Sequence, residues 1–157
     1  STKIRAFFSI LKMYSRIKKR QSTLSKLKTV SDKKIIEQFV DFVEKNRSRC
    51  RNISSALSEF GLEDKGTVYC TDVERFITGI KSKYSLITMD PPYADNCWGK
   101  IMPMVASGDF IDEHSIVITE HGRKNQPESK YEGLTRISAK KYGDSYVSIY
   151  SMGVTNG

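Results

Sequence analysis

The chain has no glycine before Gly61 and no acidic residue before Asp32, and these two absences separate its first part from the rest. It has only three cysteines, Cys50, Cys70 and Cys97, an odd number without a CxxC pair. Such cysteine usage argues against a disulfide framework and against a cysteine-based zinc site. No stretch approaches the ~20 apolar residues that a membrane-spanning helix needs. We therefore expect a soluble protein with reduced thiols and no metal site.

The amino-terminal 20 residues are basic but lack a continuous apolar centre and a small-residue cleavage site, which argues against a signal peptide. The chain has 157 residues, of which 38% are hydrophobic and 28% charged. That length and composition are typical of one globular domain spanning 1–157. We expect a cytoplasmic monomer without membrane contact.

The net charge of +8 is unevenly distributed along the chain. Residues 1–50 hold 14 Lys and Arg against 4 Asp and Glu, whereas residues 51–157 hold 12 against 14. A basic segment of this kind favours a polyanion as partner, with nucleic acid ahead of a membrane surface. The alternative is a lysine-rich helix surface that only contacts solvent.

Apolar spacing predicts the secondary structure. Residues 2–20 have the 3–4 spacing of a basic helix, and 12–39 is a glycine-free segment with seven Lys and Arg between Lys12 and Lys28. After it, predicted strands alternate with predicted helices. The strands are 39–44, 67–70, 84–89 and 115–120; the helices are 47–60, 73–80 and 98–106, the last interrupted near Pro103. A polar loop at 122–133 and a hairpin of 134–141 with 146–150, turning at Gly143-Asp144, complete the chain.

This alternation predicts an α/β fold with a mainly parallel sheet, crossover helices and an antiparallel hairpin at one edge. Sheets of this kind bind ligands beyond the carboxyl ends of their strands. Glu44, Asp72 and Asp90 all lie at or just after a predicted strand end. We therefore expect these three carboxylates at one edge of one sheet.

The stretch SLITMDPPYADNCW, residues 85–98, ends an apolar strand in Asp90-Pro91-Pro92-Tyr93. Both prolines have a fixed φ and no N–H, so nearby carbonyls can point outward. A carboxylate beside such a carbonyl can accept both N–H groups of an exocyclic amine on a nucleobase. Tyr93 offers a flat face on which that base can stack. The alternative is a Pro-Pro turn capped by Asp90.

The motif Asp90-Pro91-Pro92-Tyr93 resembles the catalytic motif of S-adenosylmethionine-dependent methyltransferases that act on adenine N6 or guanine N2. The wider pattern is similar to bacterial small-subunit rRNA guanine-N2 methyltransferases. It consists of FVEKN at 42–46, Asp72 with Phe76, the motif followed by Ala94, Glu120-His121, and YGDS at 142–145. TKIR at 2–5 with FSIL at 8–11 resembles the helix that precedes the first core strand of that family. The resemblance implies a Rossmann-like class I methyltransferase fold.

The resemblance also implies roles on the cofactor side. Glu44, next to Lys45, would bind the ribose hydroxyls of S-adenosylmethionine, since a carboxylate can accept both O–H groups. Asp72, next to Val73, would accept the adenine amine of the cofactor, which is compatible with capping a helix. Asp90 would border both the cofactor and the target.

On the substrate side, the resemblance implies that the Asp90-Pro91-Pro92-Tyr93 motif holds the target guanine. His121 would line the substrate side, although a structural histidine is the alternative. The basic amino-terminal region, including Lys3 and Arg5, would bind phosphates of ribosomal RNA or of the small ribosomal subunit.

The sequence departs from this family in residues 12–39. The family has its first core strand and a glycine-rich cofactor loop there, whereas this segment has neither glycine nor a recognisable buried strand. Two alternatives to a guanine-N2 methyltransferase therefore stay open. One is an adenine-N6 methyltransferase on DNA or RNA, because the same motif serves both amines. The other is a catalytically inactive nucleic-acid-binding homologue.

Overall fold

A single mixed sheet forms the centre of the molecule. The computed structural model of the chain describes residues 5–7, 39–92 and 96–153. Within these residues, eight strands lie in the order β3-β2-β1-β4-β5-β8-β7-β6. The strands are β1 (Arg5–Phe7), β2 (Phe39–Val43), β3 (Gly66–Tyr69), β4 (Leu86–Met89), β5 (Ile116–Gly122), β6 (Lys130–Tyr131), β7 (Leu134–Tyr142) and β8 (Ser145–Met152). The helices of the same residues are α1 (Arg47–Glu59), α2 (Val73–Thr78) and α3 (Trp98–Ala106).

The sheet has a parallel half and an antiparallel half that meet at β5. Strands β1 to β5 pair in parallel, and β5 also pairs with β8 in antiparallel register from Ile116↔Ser151 to Gly122↔Ser145. Each described helix lies in a connection between parallel strands, as crossover connections require. The predicted α/β fold, a mainly parallel sheet with crossover helices and an antiparallel hairpin, is confirmed.

The first strand corrects one sequence prediction. Arg5–Phe7 is a strand between β2 and β4, with Ala6 opposite both Val40 and Leu86, whereas the 3–4 spacing predicted a helix over 2–20. The helix prediction is wrong for these three residues, because pairing with a neighbour on each side outweighs local periodicity. The strand between β2 and β4 is thus formed by Arg5–Phe7, earlier in the chain than the segment 12–39 in which the resemblance placed the first core strand. The rest of 1–20, and 12–38, lie outside the described residues.

Helix ends agree with the local sequence. The Asn46 side chain accepts from the backbone N–H groups of Ser48 and Arg49 at 3.0 and 3.1 Å, which begins α1. Gly61, at φ 63°, follows the end of α1 in the left-handed region that favours glycine. The predicted break near Pro103 is absent, and α3 is continuous. Gly99, four residues earlier, is exposed, so its carbonyl can be solvated where proline offers no N–H.

The main core lies between α3 and the strands around β5. It consists of Tyr84, Ile87, Met89, Trp98, Ile101, Met102, Val105, Ala106, Phe110, Ile111, Val117, Tyr131, Leu134 and Tyr150. Alternation along β5 directs Val117, Thr119 and His121 to this buried face. The core therefore fixes α3 against the sheet.

The closing hairpin follows the prediction and is longer than expected. Gly143 has a φ of 63° and is the first residue of a two-residue turn, where a positive φ favours glycine. The predicted polar loop at 122–133 is wrong for Lys130–Tyr131, a two-residue strand at the sheet edge. No helix of the described residues is both long and apolar enough to cross a membrane.

Candidate functional site

A cleft of about 1120 Å³ opens at the carboxyl ends of β2, β3 and β4. Its described lining consists of Val43, Glu44, Lys45, Arg49, Thr71, Asp72, Val73, Glu74, Met89, Asp90, Pro91, Pro92, Asn96, Cys97, Trp98, Lys100 and Ile101. The volume exceeds the range of roughly 300–1,000 Å³ typical of small-molecule pockets. The cleft has room for a small molecule and for part of a second one.

The structure brings together most of the residues that the sequence predicted for one site. Glu44, Lys45, Asp72 and Val73 line one side of the cleft, and Asp90-Pro91-Pro92 lines the other. They converge because parallel strands direct their carboxyl ends to the same edge of a sheet. Tyr93 and Lys3 lie outside the described residues, and the side chain of Arg5 does too.

Glu44 follows β2 and is held by its backbone and by its side chain. Its N–H donates to the Tyr69 carbonyl at 3.1 Å, and its carbonyl accepts from the Cys50 thiol at 3.1 Å. Burial and the neighbouring Cys70 thiol raise the pKa of Cys50 to about 11, so this thiol keeps its proton at neutral pH. The position of Glu44 is thus fixed by β3 and α1 together.

The Glu44 carboxylate is mostly buried, with 15% of the side chain exposed. Oε1 accepts from the Asn46 N–H at 2.8 Å, and Oε2 lies 3.6 Å from Nη1 of the half-exposed Arg49. An ionised carboxylate has about four lone-pair sites, and its contacts with the described residues use two. Glu44 can therefore accept two more donors from the cleft, as a ribose diol requires.

Asp72 begins α2 and is exposed at the cleft. Its Oδ1 accepts from the Arg75 N–H at 2.8 Å, so it caps the helix as the sequence allowed. This cap fixes the carboxylate where the chain passes from β3 to α2. It leaves lone pairs on both oxygens for a ligand. Next to it, the half-buried Val73 adds apolar surface.

Asp90 directly follows β4, whose last residue, Met89, is paired with Thr119 of β5. Asp90 and Pro91 are half-buried, and Pro92 is exposed. Neither proline has an N–H, so this part of the loop offers the cleft acceptors without backbone donors. Because β4 is paired on both sides, the start of the loop is anchored at the centre of the sheet.

His121 does not line the cleft but lies directly behind it, with its ring edge-on to the cleft residue Trp98 at a centroid distance of 6.4 Å. It is 2% exposed, and its ring contacts Ser148 Oγ at 2.9 Å and stacks on Tyr146 at a centroid distance of 5.9 Å. Burial lowers the pKa of His121, which favours the neutral ring. The structure therefore places it in the packing beneath the hairpin, because alternation along β5 directs it inward.

Several cleft residues were not predicted from the sequence. Glu74 and Lys100 form an ion pair at 2.6 Å between α2 and α3, and Arg49 lies beside Glu44. The Trp98 indole N–H donates to the Asn125 carbonyl at 3.1 Å, joining α3 to the loop after β5. The Glu74–Lys100 ion pair and the Trp98 hydrogen bond join residues distant in sequence, so no local pattern indicates them. Only the position of Arg49, one turn into a helix capped by Asn46, could have been inferred.

Comparisons with known proteins agree with this architecture. A conserved hypothetical protein from Streptococcus pyogenes has 25% identity and a TM-score of 0.66, covering 75% of this chain and 78% of that one. An rRNA methylase from Streptococcus thermophilus has 7% identity and a TM-score of 0.62, covering 96% and 87%. A methyltransferase from Geobacter sulfurreducens has 14% identity and a TM-score of 0.55, covering 75% and 60%.

A search of curated proteins finds no significant match. A family model, described as conserved hypothetical protein 95, matches residues 36–151. These include β2 to β7, all of β8 except its last residue, and the whole described lining of the cleft. On the length of this match, the chain belongs to the conserved hypothetical protein 95 family.

Proposed function

We propose that this chain is an S-adenosylmethionine-dependent methyltransferase that transfers a methyl group to the exocyclic N2 amine of a guanine in small-subunit ribosomal RNA. The observation that carries the proposal is the cleft. It gathers Glu44, Asp72 and the Asp90-Pro91-Pro92 loop at one edge of a class I methyltransferase fold. The name of the Streptococcus thermophilus structure supports ribosomal RNA as the substrate class.

The residues of the cleft fit the cofactor chemically. Glu44 has two acceptor sites left for a diol, and Asp72 has lone pairs for an amine. Val73, Met89 and Ile101 supply the apolar lining that an adenine ring needs. When bound, S-adenosylmethionine supplies an electrophilic methyl group on a sulfonium ion.

Asp90 and the prolines hold the acceptor in this proposal. The Asp90 carboxylate accepts one N–H of the target amine, a neighbouring proline carbonyl accepts the other, and the carboxylate can take up the proton that the amine loses. The lone pair of a guanine N2 amine is delocalised into the ring, so orientation contributes much of the rate. A base enters this cleft only after it leaves its stack. Stacking on Tyr93 stays a prediction.

Cofactor binding is the first test. Calorimetry with S-adenosylmethionine should give saturable binding, and Glu44→Gln should weaken it while Glu59→Gln, an exposed change at the far end of α1, should not. Absence of binding at millimolar cofactor would contradict both methyltransferase readings and favour a catalytically inactive nucleic-acid-binding protein.

Product identity is the second test. The protein is incubated with labelled cofactor and either unmodified small-subunit rRNA, small-subunit particles or DNA, and the digested nucleosides are separated. We expect label in N2-methylguanosine. Label confined to N6-methyladenosine would refute the guanine assignment while keeping the methyltransferase, and label in DNA alone would refute the RNA substrate.

A further inference from the structure

The antiparallel half of the sheet extends beyond the parallel half at the edge that holds the cleft. The last β4–β5 pair is Met89↔Thr119, whereas β5 continues to Gly122 and stays paired with β8 as far as Gly122↔Ser145. Three more residues of strand add about 10 Å. The hairpin therefore forms a wall beside the Asp90 loop.

The rim of this wall is basic and carries an exposed aromatic ring. Gly122 and Tyr142 both pair with Ser145, which places the ends of β5 and β7 two strand spacings, roughly 10 Å, apart. We define the rim by Arg123, Lys124, Lys140, Lys141 and Tyr142. All five are exposed, and Tyr142 has 59% of its surface accessible.

Positive charge predominates at this rim. Residues 121–127 contain no acid and residues 138–147 contain only Asp144, while Glu120 lies in the row of Lys140 across β8, so four cations stand against two acids. Paired residues of neighbouring strands share a face, so Lys141 lies in the row of Tyr146 and His121, and Lys140 and Tyr142 lie on the opposite face. The cations thus lie on both faces of the wall. A bound polyanion can therefore contact them from the cleft or from the opposite face of the sheet.

The rim is continuous with the cleft. Trp98 lines the cleft, and its indole N–H donates to the Asn125 carbonyl at 3.1 Å. Gln126 closes the loop by donating to the Arg123 carbonyl at 3.0 Å. The loop that carries Arg123 and Lys124 is therefore fixed to the helix that follows the Asp90 motif.

We infer that this rim binds the single-stranded RNA next to the target nucleotide, with the four cations on its phosphates and Tyr142 stacked on a flanking base. The inference rests on the proposed function, because it uses the cleft as the site of the target base. Single-stranded RNA fits better than a duplex, since an exposed ring on a narrow strand tip can stack only on an unpaired base.

The test is direct RNA binding, which does not depend on turnover. A labelled single-stranded RNA oligonucleotide of mixed sequence is titrated with the full chain over a salt series. We expect Lys140→Ala with Lys141→Ala to weaken binding about tenfold, and to reduce the slope of log affinity against log salt by about 1.4, or ~0.7 for each lost phosphate contact. Lys140→Arg with Lys141→Arg should keep the parent affinity.

The matched control removes two exposed cations from the opposite edge of the sheet. Lys81 precedes β4, and Lys130 lies on β6 near the end of β8 that is farthest from the rim. Lys81→Ala with Lys130→Ala should keep affinity within about twofold, because charges farther away than a Debye length of about 8–10 Å are screened.

Tyr142 separates stacking from charge. Tyr142→Ala should weaken binding at least about fivefold without changing the salt slope, and Tyr142→Phe should keep the parent affinity because the ring remains.

A parent that binds RNA while the rim variants match the Lys81/Lys130 control would overturn the rim alone. Failure of cofactor binding with rim-dependent RNA binding intact would overturn the methyltransferase proposal alone. A parent that binds no RNA would overturn the rim alone, because the methyltransferase proposal is tested separately by cofactor binding and by methylation of small-subunit particles.

Discussion

At the same edge of the sheet, the parallel half presents carboxylates together with Lys45, Arg49 and Lys100, whereas the antiparallel half presents mainly cations. The ends of β2, β3 and β4 carry the carboxylates Glu44, Asp72 and Asp90, whereas the ends of β5 and β7 carry the cations and Tyr142 of the rim. Carboxylates accept hydroxyl and amine donors, and cations bind phosphates. In the proposed function, the parallel half would bind the donor groups of cofactor and target amine, while the antiparallel half would contact the RNA.

The largest expected effect comes from a substitution among the carboxylates of the cleft, and it is an effect on turnover. Asp90→Asn keeps the size of the side chain but removes a charged acceptor from the target amine. In the proposed role, we expect turnover to fall about 10²–10⁴-fold. Steady-state methylation of the RNA substrate, with cofactor affinity measured separately by calorimetry, checks this.

Asp109→Asn is the control, because Asp109 is exposed in the α3–β5 connection at the opposite edge of the sheet. It should match the parent in both measurements. Equal turnover in Asp90→Asn and the parent would remove Asp90 from the reaction, and a parallel loss of cofactor affinity would assign it to the cofactor instead.

The next effect is on the cofactor side of the same half. Glu44→Gln keeps an oxygen that can accept from the Asn46 N–H, but replaces the other oxygen with a donor. A hydrogen bond to a charged group contributes about 1.5–3 kcal/mol, so we expect cofactor affinity to fall roughly 10- to 150-fold. Calorimetry measures this, and unchanged affinity would contradict the ribose role.

A smaller effect is expected on the stability of the antiparallel half. The fully buried Tyr150 donates its hydroxyl to the Glu128 carbonyl at 2.8 Å, and burial raises the pKa of Tyr150 to about 12. Tyr150→Phe removes this bond at nearly constant volume and should lower the free energy of unfolding by about 1 kcal/mol. Denaturant unfolding checks the value, and cofactor affinity should not change.

The smallest effect concerns pH. Burial, with a smaller contribution from Arg136, lowers the pKa of His121, against an opposing effect of the Gly122 carbonyl and Glu120. The unfolded chain therefore binds a proton more readily, so this contribution to stability is present above the ordinary histidine pKa of about 6.5 and is lost as pH falls below it.

The melting temperature between neutral and mildly acidic pH measures the effect. The melting temperature of His121→Gln should fall less steeply with falling pH than that of the parent. The melting temperature of His114→Gln should follow that of the parent, because His114 is exposed. Identical pH dependence in His121→Gln and the parent would show that His121 is not the responsible group.

The sequence predicted the parts of this molecule that local patterns determine. Alternation identified β5 and the hairpin, and the position of Asp72 before an apolar 3–4 spacing identified a helix cap. These features depend on residues only a few positions apart. The parallel topology followed from the alternation of strands and helices, and it placed Glu44 and Asp90 at one edge.

The errors arise where distant pairing decides. Arg5–Phe7 has a helical spacing, yet it is a strand because β2 and β4 pair with it on both sides. Lys130–Tyr131 pairs with Thr135 and Leu134 across a tight connection that polar composition conceals. His121 is a different case: the core determines the side of β5 on which it lies, against the cleft residue Trp98, and its role on the substrate side stays a prediction.

The two-residue turn at Gly143-Asp144 allows the β7–β8 hairpin to change in length. Because side chains alternate with a period of two, adding two residues to β7 and two to β8 would keep every existing residue on its face while lengthening the hairpin by about 7 Å. The loop after β4 and the carboxylates of the cleft would not move. Hairpin length is therefore a variable by which related chains can fit substrates of different depth without altering their chemistry.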